Sequence, residues 1–431
     1  MFRPVISYPS PLHFCNARMR TLALAACIAF ASAHSIAAPE DHGFSPERLK
    51  RLDAAVESTI ADGRLAGGII YVARDGKTAY QKAYGMQDRE AGVAMREDAI
   101  FRIASMSKAV TTVAAMILYE EGRFRLHDPV GNFIPGFKNS VVAVAPAADA
   151  PAGTRYSTVP ARRPVTIHDL LTHTAGLTYG DGPAVDDYKK AGLHGWYFAN
   201  KDETIGEAVD RLATLPLHGQ PGEAWQYGFS TDVLGRVIEV ASGMPLDRFI
   251  EERVARPLGL TDTCFFLPVE KAARLAPVYG YVEGRLVKTE DASKTDYIHG
   301  PRRCFSGGAG LLSTVHDYGR FLQMLLNGGS LDGTRILSRK SVELMRTNAT
   351  GDKYRRDTDG FGLGFWVIGD LGAYGELGSR GAYGWGSAYY PQYLVDPQER
   401  MVAFFMAQLM PTGGLDLNQR FKVLLYQALD E

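Results

Sequence analysis

Cysteine is scarce in this chain of 431 residues, which contains four. Two of them, Cys264 and Cys304, lie outside the N-terminal segment that is discussed below, so the rest of the chain can hold at most one internal disulfide. One disulfide and two buried free thiols fit the sequence equally well, because a sequence does not give the distance between two Cα atoms.

The chain also lacks an excess of charge of either sign, with 47 lysine and arginine residues against 48 aspartate and glutamate residues. No basic block stands out along it. Nucleic acid and anionic membrane surfaces both attract clustered positive charge, and we therefore expect neither as a partner.

Three common motifs of enzyme sites are missing. A phosphate-binding Gly-x-x-x-x-Gly-Lys-Thr is absent, because Tyr71 stands where Gly76-Lys77-Thr78 needs its leading glycine. No His-Glu-x-x-His occurs, and His168 and His173 are wrongly spaced to share one helix face. No Gly-x-Ser-x-Gly occurs either, which excludes the nucleophile elbow of α/β-hydrolases. We therefore predict no metal and no cofactor.

The N-terminus has the pattern of a secretory signal peptide. Arg18-Met19-Arg20 precedes a short apolar segment at 21–30, and small residues follow up to Ala38. The pattern predicts a signal peptide at residues 1–38, with Met19 as an alternative start, and no integral membrane segment after cleavage. Lipoprotein anchoring at Cys27 is less favoured, because more of the apolar core follows Cys27 than precedes it. We expect a periplasmic or secreted protein.

A serine and a lysine introduce the most apolar helical run of the chain. Ser105-Met106-Ser107-Lys108 precedes ten mostly apolar residues at 109–118, and Gly122 marks the helix end. Ser105 is therefore predicted near a helix N-terminus, where free N–H groups stabilise an anion. Lys108 follows one turn later, and desolvation favours the neutral amine that can accept a proton. A tetrapeptide of this kind also occurs by chance about once in a chain of this size.

The remaining patterns predict a sheet that both chain ends build. A helix begins at Ser45, and a hairpin turns at Asp75-Gly76. Helices and loops follow from 122 to about 295, including an exposed loop at 141–164, a capped helix start at Thr166 and helices at 205–215 and 231–242. A helix at 316–326, strands at 365–368, 393–396 and 401–406, and a last helix at 417–428 complete the chain. We predict an α/β domain from 39–121 and 304–431, with a mostly helical insertion at 122–303.

Two further stretches carry candidate site residues. Tyr227 lies on a predicted loop before a helix, where its hydroxyl could meet Ser105 and Lys108 and relay a proton. The stretch 383–388 (Tyr-Gly-Trp-Gly-Ser-Ala) precedes a strand, and its small residues would let the backbone approach a substrate. Taken alone, Tyr227 is more often an ordinary loop tyrosine, about three times in four, and the second stretch is equally compatible with a tight turn before an edge strand.

Together with the stretches 170–177, 232–237, 257–260 and 308–314, these motifs resemble the serine β-lactamase-like family in order and spacing. That family includes class C β-lactamases, penicillin-binding D-alanyl-D-alanine peptidases and, most similar to this chain, the family VIII carboxylesterases. The resemblance implies an α+β, β-lactamase-like fold with an antiparallel sheet flanked by helices. It also implies that Ser105 is the nucleophile, Lys108 its base partner and Tyr227 the general acid and base. The implied oxyanion hole is the N–H of Ser105 with one from the strand at 385–388.

Two departures from the lactam-processing members favour the esterase branch. Tyr227-Gly228-Phe229 stands where those members have Tyr-x-Asn, and Trp385-Gly386-Ser387 stands where they have Lys/His-Thr-Gly. The cation that would hold a substrate carboxylate is therefore missing, unless Arg302, Arg303 or Arg380 replaces it from a loop. Ser387 also departs from the Trp-Gly-Gly of the esterases.

The sequence thus predicts an exported serine hydrolase that cleaves small carboxylic esters through an acyl-enzyme on Ser105. A penicillin-recognising peptidase or weak β-lactamase is the first alternative, and a non-catalytic binding protein on the same scaffold is the second. The pocket is expected to be apolar and aromatic. Its predicted lining residues are Trp385, Gly386, Ser387, Ala388, Tyr390 and Phe229, with Tyr389 and Trp196 as further candidates.

Overall fold

The computed structural model describes residues 42–146, 148–354 and 359–430. The predicted signal peptide at 1–38, with the start at Met19 and the lipoprotein site at Cys27, lies outside these residues. Within the three described ranges, no helix combines the length and the apolar character that a membrane span requires.

The described residues form short strands, helices and connecting turns. In chain order, the strands are β1 (Gly67–Arg74), β2 (Lys77–Asp88), β3 (Val93–Ala94), β4 (Phe101–Arg102), β5 (Val141–Val144), β6 (Ser157–Pro160), β7 (Val278–Val282), β8 (Arg285–Glu290), β9 (Leu312–Ser313), β10 (Ser330–Leu331), β11 (Thr334–Arg335), β12 (Asp359–Phe361), β13 (Trp366–Ile368), β14 (Tyr383–Gly386), β15 (Gln392–Asp396) and β16 (Met401–Ala407). The α-helices are α1 (Pro46–Ala61), α2 (Ser107–Glu120), α3 (Ile167–Leu171), α4 (Val185–Lys190), α5 (Ile205–Leu212), α6 (Ser230–Ser242), α7 (Leu246–Ile250), α8 (Arg256–Leu258), α9 (Asp296–His299), α10 (Val315–Leu326), α11 (Arg339–Met345), α12 (Leu371–Tyr374) and α13 (Leu417–Tyr426).

Both ends of the described chain build the large sheet. Its eight strands run in the order β12-β13-β14-β15-β16-β1-β2-β3, and every neighbouring pair is antiparallel. The pairing of β1 with β16, in which Ile70 lies opposite Phe405, joins the two ends. The predicted α+β fold with an antiparallel sheet flanked by helices is confirmed.

The sheet is buried on both faces because its central strands are apolar throughout. Successive residues of a strand point to opposite faces. Accordingly, Ile69 of β1 packs in the core that contains the apolar side of α2, whereas Ile70 packs with α1 and α13. The capped helix start is also present, since Thr166 and Asp169 form a reciprocal capping box at α3.

The segment between the sheet's two halves contains more helices than strands, joined by loops, and its strands form small two-stranded sheets. The division of the chain at residues 121 and 303 stays a prediction. The exposed loop predicted at 141–164 is wrong at its two ends, because β5 and β6 pair there with Val142 opposite Val159. Val142 is buried and also forms a β-bridge with Leu217. The β-branched residues of β5 therefore belong to the core, whereas the Ala- and Pro-rich part of the loop only connects β5 to β6.

The two cysteines of the described chain are free thiols, which settles the choice that the sequence left open. Cys304 is buried and Cys264 is half-buried. Burial raises the pKa of the Cys264 thiol to about 12, so this thiol stays protonated at neutral pH.

Candidate active site

Ser105 lies in a single 3₁₀ turn, Ala104–Met106, that leads directly into α2. The strand β4 precedes this turn, and Ala104 has a φ of +36°, a left-handed conformation that a residue with a side chain seldom adopts. Strain of this kind is often stored at functional sites. The sharp reversal brings Ser105 to the wall of a cavity of about 590 Å³.

Lys108 is 1 % exposed and reaches Ser105 from the first turn of α2. Its Nζ lies 3.4 Å from Ser105 Oγ and 2.8 Å from the carbonyl oxygen of Gly308. The amine also donates to the hydroxyl of Tyr179 at 3.1 Å. The structure therefore brings together the serine and the lysine that the sequence singled out.

Tyr227 lines the same cavity as Ser105. Its hydroxyl accepts a hydrogen bond from Nε1 of Trp385 at 3.2 Å, and Nζ of Lys108 lies 4.6 Å from the centre of its ring. The sequence suggested that the Tyr227 hydroxyl meets Lys108. Among the described residues, Lys108 instead donates its hydrogen bond to the hydroxyl of Tyr179. The site thus contains two tyrosines around one lysine.

Tyr179 is a site residue that the sequence interpretation missed. Its ring packs edge-to-face on those of Tyr227 and Phe229, with centroids 5.6 and 5.0 Å away. Burial, then the nearby Tyr227 and Asp232, raise the pKa of Tyr179 well above its ordinary value, so this phenol stays protonated. Its place two residues after the family motif at 170–177 is the one signal that pointed to it.

The buried side chain of Asp232 holds in place the loop whose Gly308 carbonyl oxygen accepts a hydrogen bond from Lys108. Asp232 Oδ1 accepts from Ser306 Oγ at 2.5 Å and from the N–H of Gly308 at 3.1 Å. A Cβ at position 308 would lie 2.6 Å from Asp232 Oδ2, so glycine is required there. Burial raises the pKa of the Asp232 carboxyl. The carbonyl of Gly308 is thereby aimed at Nζ of Lys108.

His173 forms part of the support behind Tyr227. It is buried, has a φ of +54°, and its ring centroid lies 5.0 Å from that of Tyr227. Burial and then the charge of Lys108 lower the pKa of His173 well below its ordinary value. The imidazole is therefore neutral and acts as an uncharged packing group at this place.

The opposite wall of the cavity comes from β14 and the turn after it. Trp385, Gly386, Ser387, Ala388 and Tyr390 all line the cavity, as predicted, and β14 itself covers Tyr383–Gly386. The hydroxyl of Ser387 accepts a hydrogen bond from the N–H of Tyr389 at 3.2 Å, which shapes this turn. Trp196 and Trp366 add further aromatic surface.

Two of the predicted pocket residues lie behind the wall instead of on it. Phe229 is 1 % exposed and packs between Tyr179 and Phe198, because the turn before α6 directs its ring into the core. Tyr389 is likewise buried and packs edge-to-face on Trp196 at 5.5 Å. Phe229 therefore supports Tyr179 and does not line the cavity.

The arginines considered as substitutes for the missing cation are placed elsewhere. Arg302 donates to the carbonyl oxygens of Leu267 and Ile298, and Arg303 pairs with Asp202 at 3.0 Å. Arg380 is exposed and does not line the cavity. Across the described ranges, the residues that line the cavity beside Ser105 include no lysine or arginine. In the same ranges, no group of three or more His, Cys, Asp or Glu residues is placed to hold a metal ion.

A model of the beta-lactamase family matches residues 52–428 of the chain. The chain belongs to the beta-lactamase family. The predicted resemblance is confirmed, and the family places the chain among serine hydrolases.

Three proteins of known sequence or structure are similar to the chain. The chain is 33% identical to esterase EstB of Burkholderia gladioli over 367 residues, which cover 80% of the chain and 86% of the esterase. It is 26% identical to a putative D-alanyl-D-alanine carboxypeptidase of Escherichia coli K12 over 86% of the chain and 84% of that protein. The solved structure of EstCE1, a hydrolase with promiscuous acyltransferase activity, superposes with a TM-score of 0.75 at 26% identity, covering 89% of this chain and 98% of that one.

Proposed function

We propose that the protein is an exported serine hydrolase that cleaves small carboxylic esters through an acyl-enzyme on Ser105. The observation that carries the proposal is the combination of the Ser105–Lys108 pair with an aromatic cavity that no lysine or arginine of residues 42–146, 148–354 and 359–430 lines. Such a cavity suits an uncharged ester better than a substrate that carries a carboxylate. The likeness to a protein named an esterase supports the same conclusion.

In the first half of the reaction, Ser105 Oγ attacks the ester carbonyl and its proton passes to the Lys108 and Tyr227 pair. A bond forms between Oγ and the acyl carbon, and the negative charge moves to the carbonyl oxygen. The N–H of Ser105, in the 3₁₀ turn that leads into α2, and an N–H of the segment 385–388 hold this oxyanion. The carbon–oxygen bond to the alcohol then breaks.

Tyr227 returns the proton to the departing alcohol oxygen. The Tyr227 hydroxyl oxygen accepts a hydrogen bond from Trp385 Nε1, and the Lys108 amine lies 4.6 Å from the centre of the tyrosine ring, so Tyr227 is held beside the lysine with which it shares the proton. In the second half of the reaction, a water molecule gives its proton to Tyr227 and attacks the acyl carbon. The acid leaves, and Ser105 regains its proton.

A penicillin-recognising peptidase is the alternative, supported by the likeness to the putative carboxypeptidase. Such an enzyme needs a group that binds the carboxylate of its substrate. Of the three arginines that the sequence offered for this role, Arg302 and Arg303 are bound to other partners, and Arg380 does not line the cavity. The esterase proposal therefore agrees better with the cavity.

Turnover of p-nitrophenyl butyrate beside nitrocefin separates the two functions. With the purified chain that starts after residue 38, we expect rapid ester hydrolysis and nitrocefin hydrolysis at least about 100-fold slower, because the described part of the chain places no carboxylate-binding cation on the cavity wall. Rapid nitrocefin hydrolysis without ester turnover would overturn the proposal. Fractionation of cells that produce residues 1–431 tests export, since an exported protein loses its N-terminal segment and leaves the cytoplasm.

Tyr179→Phe should lower kcat for p-nitrophenyl butyrate by about 10-fold and change KM little. The substitution removes the hydroxyl that orients Lys108 and keeps the ring that packs on Tyr227. Tyr188→Phe is the matched control, because that buried hydroxyl binds the carbonyl of Pro216 outside the site. A steady-state comparison of the two variants checks the prediction, and equal kcat values would contradict it.

A further inference from the structure

The turn after β14 runs from Ser387 to Tyr390 and is shaped by hydrogen bonds within it. The N–H of Tyr390 donates to the carbonyl oxygen of Ser387 at 3.2 Å, and the N–H of Tyr389 donates to Ser387 Oγ at 3.2 Å. Among the residues that the structure describes, none accepts a hydrogen bond from the N–H of Ala388. Ala388 lines the cavity beside Ser105, so its N–H is available to a substrate atom.

Tyr390 closes this turn in a strained conformation. Its φ is +87°, which a residue with a large side chain seldom adopts. A conformation of this kind persists only where the surrounding structure holds it, and such residues cluster at functional sites. The shape of the turn therefore depends on contacts from outside its own four residues.

Those contacts come from the first turn of α13. Nδ2 of Asn418 donates to the carbonyl oxygen of Tyr390 at 2.7 Å, and the backbone N–H of Asn418 donates to the Tyr390 hydroxyl at 3.1 Å. The same hydroxyl donates to the carbonyl oxygen of Leu415 at 3.3 Å. Because the first N–H groups of a helix have no partner inside it, the Tyr390 hydroxyl also caps α13.

The side-chain amide of Asn418 has one possible orientation at this contact. A carbonyl oxygen only accepts, so the amide must present its nitrogen to Tyr390. The amide oxygen is buried, and it has no hydrogen-bond partner in the described part of the chain. An aspartate of the same size could not replace Asn418 here, because a carboxylate has no proton to donate to the Tyr390 carbonyl.

We infer that Asn418 is a positioning residue of the proposed reaction: it holds the turn 387–390 so that the N–H of Ala388 stabilises the oxyanion. The inference rests on the proposed function, because this oxyanion forms only if Ser105 attacks an ester. Asn418 does not contact the reacting atoms, and its effect passes through Tyr390. Without the amide, Tyr390 relaxes from its strained conformation and the N–H of Ala388 moves away from the oxyanion.

Asn418→Asp tests this inference with little change in shape. At pH 8, we expect kcat for p-nitrophenyl butyrate to fall about 30-fold and KM to change less than about 3-fold, because an oxyanion donor acts on charge that develops after binding. Asn418→Ala removes the same donor and should show a similar loss. Thermal unfolding shows whether each variant is folded.

Gln427→Ala is the matched control. The Gln427 amide also donates to carbonyl oxygens, those of Arg48 and Leu424, but it lies just past the other end of α13 and outside the cavity beside Ser105. Its loss should leave kcat and KM for p-nitrophenyl butyrate unchanged.

A thionoester separates the oxyanion contact from other effects of the substitutions. The sulfur of a C=S group is a weaker hydrogen-bond acceptor than the oxygen of a C=O group, so O-p-nitrophenyl thionobutyrate gains less from the N–H of Ala388. The ratio of kcat/KM for the ester to kcat/KM for the thionoester should therefore fall about 10-fold in both Asn418 variants. In Gln427→Ala, this ratio should stay the same.

The outcomes distinguish this inference from the proposed function. Equal losses with the two substrates, or unfolding of both Asn418 variants, would show that Asn418 only stabilises the fold and would overturn the inference while the esterase stands. An unchanged kcat in both variants would overturn it as well. Absence of turnover of both substrates by the unchanged protein would overturn the proposed function, and this inference with it.

Discussion

Ser105→Ala should lower kcat/KM for p-nitrophenyl butyrate by at least about 10⁴-fold, the largest loss expected from any single substitution in this protein. The hydroxyl of Ser105 is the nucleophile of the proposed reaction, and without it Lys108 and Tyr227 have no group to activate. The residual rate would come from the oxyanion site and from substrate binding alone. Progress curves at high enzyme concentration measure this loss.

A second serine variant shows whether the loss is specific. Ser293→Ala removes an exposed hydroxyl that donates a hydrogen bond to the nearby Asp291, at a position far from Ser105 in the sequence. This variant should keep the activity of the unchanged protein. Thermal unfolding of both variants shows that each is folded. If Ser105→Ala retains more than about a tenth of the activity, Ser105 is not the nucleophile.

Lys108→Met should cost about 10³-fold in kcat, the second largest expected effect. Methionine fills a similar volume in the buried start of α2, but it cannot take the proton of Ser105 or place charge beside the Tyr227 ring. Both acylation and deacylation should slow, because the proposed mechanism uses Lys108 together with Ser105 and Tyr227 in each step. Stopped-flow burst kinetics with p-nitrophenyl butyrate resolve the two steps.

The double variant Lys108→Met/Tyr227→Phe shows whether the two residues act as a unit. We expect the double variant to be only slightly less active than the less active of the two single variants, because the effects of groups that share one proton transfer are not additive. Lys271→Met, which removes a partly buried lysine paired with Asp262, is the control for loss of a lysine charge elsewhere. Losses that simply multiply would contradict a shared role.

Local patterns predicted those parts of the fold in which neighbouring residues decide the structure. Asp75-Gly76 forms the turn between β1 and β2, and both residues adopt the positive φ that a tight turn of this kind requires. The apolar run after Ser105 forms α2, and Ser45 caps α1. In each case, the chemistry of a few consecutive residues selects one backbone conformation.

Features that depend on distant parts of the chain were not predictable in the same way. The sequence predicted a loop where β5 lies, because the strand depends on its pairing with β6 and on its bridge to Leu217, which are not neighbours of β5 in the sequence. The left-handed conformation of Ala104 has no signal in the residue type, since glycine normally occupies such positions. Packing alone turns Phe229 away from the cavity and brings Tyr179 to Lys108.

The residues of the candidate site also differ in whether the sequence alone could bring them together. Ser105 and Lys108 are close in sequence and lie in two successive helical turns, the 3₁₀ turn and the first turn of α2, so their contact follows from helix geometry. Tyr227 and Trp385 come from distant segments, and only the family resemblance placed them at one site. The hydrogen bond between them, which links the proposed acid–base residue to the pocket wall, is a product of the tertiary structure.

Covalent labelling of Ser105 tests the central claim most directly. A p-nitrophenyl alkylphosphonate stops a serine hydrolase at its first covalent step, and intact-protein and peptide mass spectrometry then locate the adduct. We predict one phosphonyl group on the peptide that contains Ser105, release of one p-nitrophenol for each protein molecule, and no adduct in Ser105→Ala. An adduct on another residue, or undiminished ester turnover by a protein that the phosphonate leaves unlabelled, would contradict the account.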